Sequence, residues 1–334
     1  MSESTSGQLK AQHALLEWFD QSGRALPWRQ NSSPYSVWLC EIIMQQTRVE
    51  QGLPYWERFL AKFPTVHDLA QASEEEVLQL WSGLGYYSRA RNLHASAKKL
   101  SKLKQWPKDR ATWLSLPGVG PYTASAITSI CFGERIPALD GNALRVYSRL
   151  FAYPNPIDKL AALKHLEERS TPLIHPSRPG DSNQAIMDLG SSICTPTNPS
   201  CSSCPLGSLC EAHQRGTESL FPIKTPKKRA ISMTMTLFIT NCKDEIALVK
   251  RPGKGIWAGL WCFPEFPLVD QSYVKSLETT HLLSHRKLLL LFMEFSIPEK
   301  ASTPPNVKWV SVKDLSHMAI PVPVRWWLQE KNYI

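Results

Sequence analysis

Four of the eight cysteines lie within seventeen residues, in the pattern Cys194-x6-Cys201-x2-Cys204-x5-Cys210. Thiolates that converge from one loop can bind a cubane iron–sulfur cluster or a tetrahedral zinc ion. Zinc ribbons usually use two separated Cys-x2-Cys pairs, and this loop has one such pair. A disulfide framework would normally belong to a smaller, secreted chain. The loop at 194–210 therefore predicts a metal site and favours an iron–sulfur cluster over zinc.

A glutamate lies in an apolar helical stretch, VWLCEIIMQQTRV. Glu41 is flanked there by Trp38, Leu39 and Ile42. Burial raises the pKa of a carboxylic acid, so a buried Glu41 keeps its proton near neutral pH and can act as a general acid. The alternative is a helical glutamate that faces solvent or pairs with Arg48.

A glycine-containing turn and an aspartate follow downstream. Residues 116–120, LPGVG, separate a helix predicted to end near Leu114 from another that begins near Thr123. Glycines let the turn approach a phosphate, and the next helix presents free N–H groups to it. An ordinary turn between two helices has the same composition. Asp140 lies twenty residues after Gly120, before Gly-Asn at a helix start, which is typical of an N-cap.

These residues must be positioned mainly by helices. Residues 8–220 place apolar side chains at helical spacing and are interrupted by prolines and glycines, which predicts short packed helices. Residues 221–231, FPIKTPKKRAI, contain two prolines and four basic residues and are predicted to form a linker that can contact a nucleic-acid backbone. Residues 232–334 contain β-rich stretches and a closing helix, VRWWLQEKN, which predicts a separate α+β domain.

The charge and hydropathy of the chain bound its partners. The net charge is +9 and the sequence pI about 9.1, which suits a polyanion. The amino terminus, MSESTSGQLK, lacks the apolar stretch of a signal peptide. The longest apolar run, Leu288 to Met293, is too short to cross a bilayer, which needs about 20 residues. We expect a cytoplasmic monomer that does not bind membranes, associated with the nucleoid if the source is bacterial.

The segments LPGVGPYTASAI and LDGNALRV, together with the cysteine loop, resemble the endonuclease III class of helix-hairpin-helix DNA glycosylases. This resemblance implies a mostly α fold with a two-lobed helical core. It implies that Asp140 is the essential carboxylate and that Gly118 and Gly120 hold the DNA backbone phosphate. It also implies that Cys194, Cys201, Cys204 and Cys210 bind a [4Fe–4S] cluster that lies beside DNA and is structural.

Within this class, bifunctional members carry a lysine at the second position after LPGVG, where it forms an imine that leads to strand cleavage. Tyr122 occupies that position and cannot form an imine, which predicts a monofunctional hydrolase. The pattern W-x-x-E-x-x-x-Q-Q-T around Glu41 resembles the signature of MutY-type adenine glycosylases. The resemblance implies base-excision repair in which adenine opposite 8-oxoguanine or guanine is removed, with Glu41 as the acid and with Tyr122 and Asn142 orienting the site.

Three further segments resemble the MutY type: GRALPW at 23–28, WSGLGYYSRARNL at 81–93 and NQAIMDLG at 183–190. The resemblance implies that a set of side chains surrounds the flipped adenine, namely Arg24, Leu26, Trp28, Gln45 and Gln184. It places Gln46 and Tyr86 near the oxidised guanine. For Trp28 and Tyr86 the alternative is packing in the core.

The carboxy-terminal domain resembles the oxoguanine-reading domain of the MutY type, which is related to the Nudix hydrolases. The segment GIWAGLWCFPEF at 255–266 carries this likeness. No REUxEExGU element follows Gly255, so pyrophosphate hydrolysis is not expected. The FSH loop of the family appears here as Leu283-Ser284-His285, a departure from the pattern because leucine replaces the phenylalanine; the resemblance leaves Ser284 and His285 to contact the oxidised base.

The expected partner is double-stranded DNA with an A:8-oxoguanine or A:G mispair. A sliding clamp and a downstream abasic endonuclease are candidate protein partners that the sequence does not identify. Two other functions stay open: a pyrimidine or thymine glycosylase of the same class, and a non-catalytic DNA-binding or redox protein. The presence of both Glu41 and Asp140 argues against the second.

Overall fold

A computed structural model describes residues 2–30, 32–226, 230–283 and 286–334, with side chains from residue 6 onward. The chain divides into two compact units. The first comprises 1–70 and 95–226, and the second comprises 71–94 and 227–334. None of the described helices is long and apolar enough to cross a membrane.

The described residues form fifteen α-helices and six β-strands. The helices are α1 (Ser2–Ser22), α2 (Pro27–Gln30), α3 (Pro34–Ile43), α4 (Val49–Lys62), α5 (Val66–Gln71), α6 (Glu74–Leu80), α7 (Ser88–Leu100), α8 (Arg110–Leu114), α9 (Pro121–Phe132), α10 (Gly141–Leu150), α11 (Leu160–Ser170), α12 (Pro179–Ser192), α13 (Glu211–Gln214), α14 (Val312–Leu315) and α15 (Val322–Glu330). The strands are β1 (Ile231–Cys242), β2 (Glu245–Lys250), β3 (Trp261–Cys262), β4 (Val274–Leu282), β5 (Arg286–Ser296) and β6 (Val307–Ser311).

Local sequence signals set several helix starts in the first unit. Ser33 caps α3 by accepting a hydrogen bond from the Ser36 amide, with a proline in the first turn. Asp109 caps α8 in the same way through the Thr112 amide, at 2.8 Å. Helices α8 and α9 form the predicted hairpin, and Gly118 adopts a left-handed φ of 77° in the turn. The second helix begins at Pro121, two residues before the predicted start, because proline suits the first helical turn.

The core of the first unit forms where α1, α10, α11 and α12 meet. Its fully buried members include Leu15, Tyr147, Leu166 and Leu189. Three of the clustered cysteines, Cys194, Cys204 and Cys210, pack against this core. The cysteine loop is therefore anchored on the same helices that carry Asp140.

A mixed six-stranded sheet organises the second unit. The strand order is β3-β2-β1-β5-β4, with β6 also paired to β2. Strands β1 and β5 run parallel from Ile231↔Arg286 to Asn241↔Ser296, and the other pairs are antiparallel. Trp327 of α15 stacks on Phe292 of β5 in its core. The predicted mostly helical chain with a carboxy-terminal α+β domain is confirmed.

The second unit also includes residues 71–94, which the sequence assigned to the helical domain. The Tyr87 hydroxyl donates to the Ile320 carbonyl at 3.2 Å, and Arg91 donates to the Ala258 carbonyl at 2.5 Å. These hydrogen bonds join α7 and the loop before it to the sheet domain. The proposed boundaries at 8–220, 221–231 and 232–334 remain predictions about independent folding, and residues 227–229 of the linker lie outside the described residues.

Candidate active site and cysteine loop

A cleft of about 750 Å³ opens in the first unit. Its walls come from α2, α3, α9, α10 and α12. It is lined by all but one of the predicted catalytic and adenine-pocket residues, namely Arg24, Leu26, Trp28, Glu41, Tyr122, Asp140, Asn142 and Gln184. The fold therefore brings together residues that are up to 160 positions apart in the sequence.

Glu41 faces this cleft from α3, while Trp38, Leu39 and Ile42 around it are fully buried. Burial raises the pKa of Glu41 to about 7. The Asp140 charge also raises this pKa, whereas a hydrogen bond from Tyr122 lowers it. Burial also raises the pKa of the Tyr122 phenol well above its usual range, and the charges of Glu41 and Asp140 add to this. The phenol therefore stays protonated and donates to the glutamate.

Asp140 caps α10 and at the same time lines the cleft, so the N-cap interpretation and the site assignment apply together. Its Oδ1 accepts from the Ala143 amide at 2.6 Å, and its Oδ2 accepts from Asn142 Nδ2 at 3.1 Å. Burial raises the pKa of Asp140, and these hydrogen bonds, with the Arg145 charge, oppose that rise. The carboxylate is thus held in one orientation at a helix N-terminus.

Two supporting residues were not predicted from the sequence. Arg145 Nη2 donates to Asn142 Oδ1 at 2.8 Å and to the Gly190 carbonyl at 2.5 Å. A Cβ on Gly190 would lie 2.7 Å from the Asn142 Cβ, so only glycine lets α12 approach α10 this closely. Arg145 and Gly190 together hold the Asn142 side-chain amide that donates a hydrogen bond to Asp140.

Asp188 on α12 is a third residue that the sequence analysis missed, although it lies within NQAIMDLG. Its side chain is 2% exposed and pairs with two arginines. Arg24 Nε donates to Oδ1 at 2.7 Å, and Arg29 Nη1 donates to Oδ2 at 2.7 Å. Burial works to raise the pKa of Asp188, but the hydrogen bonds from Arg29 and Arg24 outweigh it and hold the pKa below its ordinary value. The sequence signal that could have identified Asp188 is its position as the one acidic residue of NQAIMDLG, a segment that contains several apolar residues.

Gln45 is the predicted adenine-pocket residue that does not line the cleft. Its amide nitrogen instead donates to the Gly118 carbonyl and to Thr123 Oγ1, both at 3.3 Å. The next residue, Gln46, adopts a left-handed φ of 56°, which turns the chain at the end of α3. Among the described residues, no neighbour lies within 4 Å of a Cβ built on Gly120, so the hairpin backbone is open to a ligand there.

Trp28 lines the cleft and packs edge-on against Trp56, with ring centroids 5.6 Å apart. Tyr86 lies in the second unit, is 51% exposed and adopts a left-handed φ of 47°, so it is not a core residue. It borders a separate cavity of about 520 Å³ that is also lined by Trp257, His281 and Leu283. Ser284 and His285, predicted to contact the oxidised base, lie outside the described residues.

The four clustered cysteines line one small pocket with Arg149, His213 and Glu218. Two short 3₁₀ turns, Cys201–Ser203 and Gly207–Leu209, fold the loop. All four thiols are free of disulfide bonds. Within the described part of the chain, the one set of three candidate ligand atoms lying within 4.8 Å of one another comes from Cys201, His213 and Glu218. The four cysteines line one pocket, which makes them a candidate ligand set for a metal centre held by one loop.

Comparisons with known proteins were made on both sequence and structure. Residues 39–172 match the HhH-GPD superfamily of base excision DNA repair proteins, and residues 235–330 match the NUDIX domain. The chain is 33% identical to an adenine DNA glycosylase of Rattus norvegicus, over 93% of this chain and 76% of the relative. It is 31% identical to one of Buchnera aphidicola subsp. Schizaphis graminum, over 93% and 95%. An Arabidopsis thaliana relative of the same name is 38% identical, and the match spans 48% of its length.

Two solved structures share the helical fold. A thermostable thymine-DNA glycosylase aligns with a TM-score of 0.58 and 25% identity, over 64% of this chain and 99% of that one. Endonuclease III in a non-covalent DNA complex aligns with a TM-score of 0.52 and 24% identity, over 63% and 97%. The second likeness concerns the fold alone.

Proposed function

The chain belongs to the adenine DNA glycosylases, and from this membership we propose that it removes adenine mispaired with 8-oxoguanine or guanine by hydrolysing the N-glycosidic bond. The observation that carries the proposal is the pair of carboxylates in one cleft. Glu41 has a pKa of about 7, whereas burial raises the pKa of Asp140 against the opposing effect of hydrogen-bond donors that favour its ionised form. Two carboxyl groups in different environments can divide the roles of acid and charge stabiliser.

Base excision requires the target nucleotide to leave the duplex and enter the cleft. We assign Arg24, Leu26, Trp28 and Gln184 to the walls that receive the adenine, because they line the cleft around Glu41. Gln45 supports the hairpin turn from behind, through Gly118. Gly118 and Gly120 hold the phosphate backbone, since the turn allows close approach and α9 begins directly after it.

The reaction then proceeds by proton transfer and bond cleavage. Protonated Glu41 delivers its proton to adenine N7, which makes the base a better leaving group. The C1′–N9 bond breaks toward an oxocarbenium-like sugar, which ionised Asp140 stabilises by its charge or by a transient bond. Tyr122 and Asn142 hold the two carboxyl groups in place. A water that Glu41 activates completes hydrolysis to an abasic site.

Strand cleavage is not part of this proposal because Tyr122 occupies the place of the imine-forming lysine. The product is therefore an intact strand with an abasic site, which an abasic endonuclease must process. Gln46, Tyr86, Ser284 and His285 remain the proposed contacts to the oxidised guanine. In this proposal residues 8–220 form the catalytic domain and 232–334 the recognition domain, while a sliding clamp remains a predicted partner.

We assign Cys194, Cys201, Cys204 and Cys210 as ligands of a [4Fe–4S] cluster, which supplies a covalent cross-link for the loop and no step of the hydrolysis. Their shared pocket, free thiols and packing against the core that carries α10 support this assignment. The purified protein is expected to be brown and to contain iron and acid-labile sulfide.

The proposed activity is tested with duplexes that carry A:8-oxoguanine, A:G, G:T or an oxidised pyrimidine. Adenine release from the first two, with strand breakage only after alkali, is the expected result. Release of thymine or an oxidised pyrimidine instead would replace the proposal with the other glycosylase class. No base release from any duplex would support a non-catalytic DNA-binding protein. Glu41→Gln should bind the duplex and fail to turn over.

A further inference from the structure

A buried arginine lies against the cysteine loop. Arg149, near the end of α10, is 2% exposed. Its guanidinium donates to four backbone carbonyls, from Nε to Glu218 at 3.0 Å and Phe221 at 3.2 Å, from Nη1 to Thr195 at 2.7 Å and from Nη2 to Pro196 at 3.1 Å. Nη1 also donates to Cys194 Sγ at 3.3 Å. The Arg149 side chain thus connects residues 195–196, which follow Cys194, to residues 218–221, which follow Cys210.

This buried cation has no carboxylate partner in the part of the chain that the structure describes. No aspartate or glutamate oxygen among the described residues lies within ion-pair distance of Arg149, and the Glu218 carboxylate bonds to His213 at 2.6 Å instead. Carbonyl dipoles offset part of the desolvation of a charge, but a guanidinium removed from water usually requires an anion nearby. The missing anion must therefore come from another group in the pocket.

A second guanidinium increases this requirement. Arg145 lies four residues earlier on the same helix, and its Nε donates to the Cys194 carbonyl at 2.8 Å. Like charges at this spacing on a helix repel each other. Both arginines are directed to residue 194, and Arg149 shares its pocket with all four cysteine side chains. The one carboxylate that lines this pocket, that of Glu218, is paired with His213, so ionised thiolates are the further anions that the described lining can supply.

We propose that Arg149 is a positioning residue for the ligand Cys194, which it orients through an N–H···S hydrogen bond while supplying the counter-charge of the cluster. This inference rests on the cluster proposed above. Hydrogen bonds to ligand sulfurs and nearby charge set the stability and reduction potential of such clusters. A cation beside the sulfur favours the more negative, reduced form, so its removal lowers the reduction potential and weakens retention of the cluster.

The test compares the wild type with R149K, R149Q and R149M. We measure the content of iron and acid-labile sulfide and the rate at which a chelator removes the cluster. We also measure the one-electron reduction potential at an electrode, which supplies the electron. R149M and R149Q are expected to lose the cluster at least tenfold faster. Their redox equilibrium constant should fall about tenfold, which equals about 59 mV for a one-electron couple. R149K keeps the charge without the planar fork, so its potential should stay near that of the wild type while the cluster is lost faster.

Arg215→Met is the matched control, because Arg215 is 61% exposed and pairs with Glu211 beside Cys210. It removes the same charge where water screens it, so both readouts should stay unchanged. Iron uptake by R149K but by neither neutral variant would support the proposal. Three results would overturn it. R149M and R149Q could keep the wild-type reduction potential, R149K could have a potential as low as that of R149M, or none of the three variants could take up iron. Wild-type protein without iron would instead refute the cluster itself and this inference with it.

Discussion

Replacement of Tyr122 by phenylalanine is expected to move the alkaline limb of the pH–rate profile to higher pH. Glu41 must be protonated to act as the acid, and its pKa is about 7. The wild-type rate should therefore fall tenfold for each pH unit above neutrality. The Tyr122 hydrogen bond lowers this pKa because it stabilises the carboxylate. Since a hydrogen bond to a charged group contributes about 1.5–3 kcal/mol, its loss should raise the pKa by roughly one to two units.

The assay is single-turnover adenine release from an A:8-oxoguanine duplex, followed across neutral and alkaline pH. The absolute rate of Tyr122→Phe should be lower because Glu41 is less well oriented, yet its rate should persist to higher pH. Tyr35→Phe serves as the control, since the Tyr35 hydroxyl is buried and donates to the Phe63 carbonyl away from the cleft. An alkaline limb that stays in place or moves to lower pH in Tyr122→Phe would refute the assignment of Glu41 as the acid.

Three further predictions follow from the same geometry. The folded pKa of Glu41, about 7, lies above its ordinary value of 4.5, so the stability of the wild type falls as the pH rises from 4.5 to 7. Glu41→Gln should therefore raise the free energy of unfolding by roughly 3 kcal/mol at alkaline pH and change it little below pH 4.5, as measured by thermal unfolding. An equal gain at both pH values would contradict the burial argument. Tyr122→Lys should break the strand without alkali and be trapped on DNA by borohydride, whereas purely hydrolytic product would show that the position does not reach C1′. Asp188→Asn should lower the free energy of unfolding by about 3 kcal/mol, because it leaves Arg24 and Arg29 without their shared anion. It should also raise KM more than it lowers kcat. Unchanged stability would show that this ion pair does not stabilise the fold.

Local signals in the sequence predicted several features of the site's structure. The cysteine spacing predicted the shared pocket, since all four ligands come from one short segment. The N-cap at Asp140 was predictable because a cap is determined by its immediate neighbours, and the apolar flanks of Glu41 are buried as expected. The catalytic roles of both carboxyl groups came from the family resemblance and stay predictions. The β-rich stretches likewise predicted strands of the carboxy-terminal sheet.

Contacts between distant segments could not be predicted in this way. The Asp188 ion pair joins positions more than 150 residues apart, and Arg149 bonds carbonyls 46 to 72 residues away. Neither arrangement leaves a periodic pattern in the chain. Residues 71–94 pack with the sheet domain through single side chains such as Tyr87, which helical spacing does not reveal. Gln45 turns to the hairpin because the chain reverses at Gln46, a conformation that the sequence alone did not indicate.

The most direct test of the central claim is single-turnover base release from an A:8-oxoguanine duplex by the wild type, Glu41→Gln and Asp140→Asn, with each product analysed before and after alkali. The wild type should release free adenine and leave a strand that breaks only after alkali, and both variants should bind the duplex without measurable release. Adenine release by either variant at the wild-type rate, or no release by the iron-loaded wild type, would contradict the two-carboxylate mechanism.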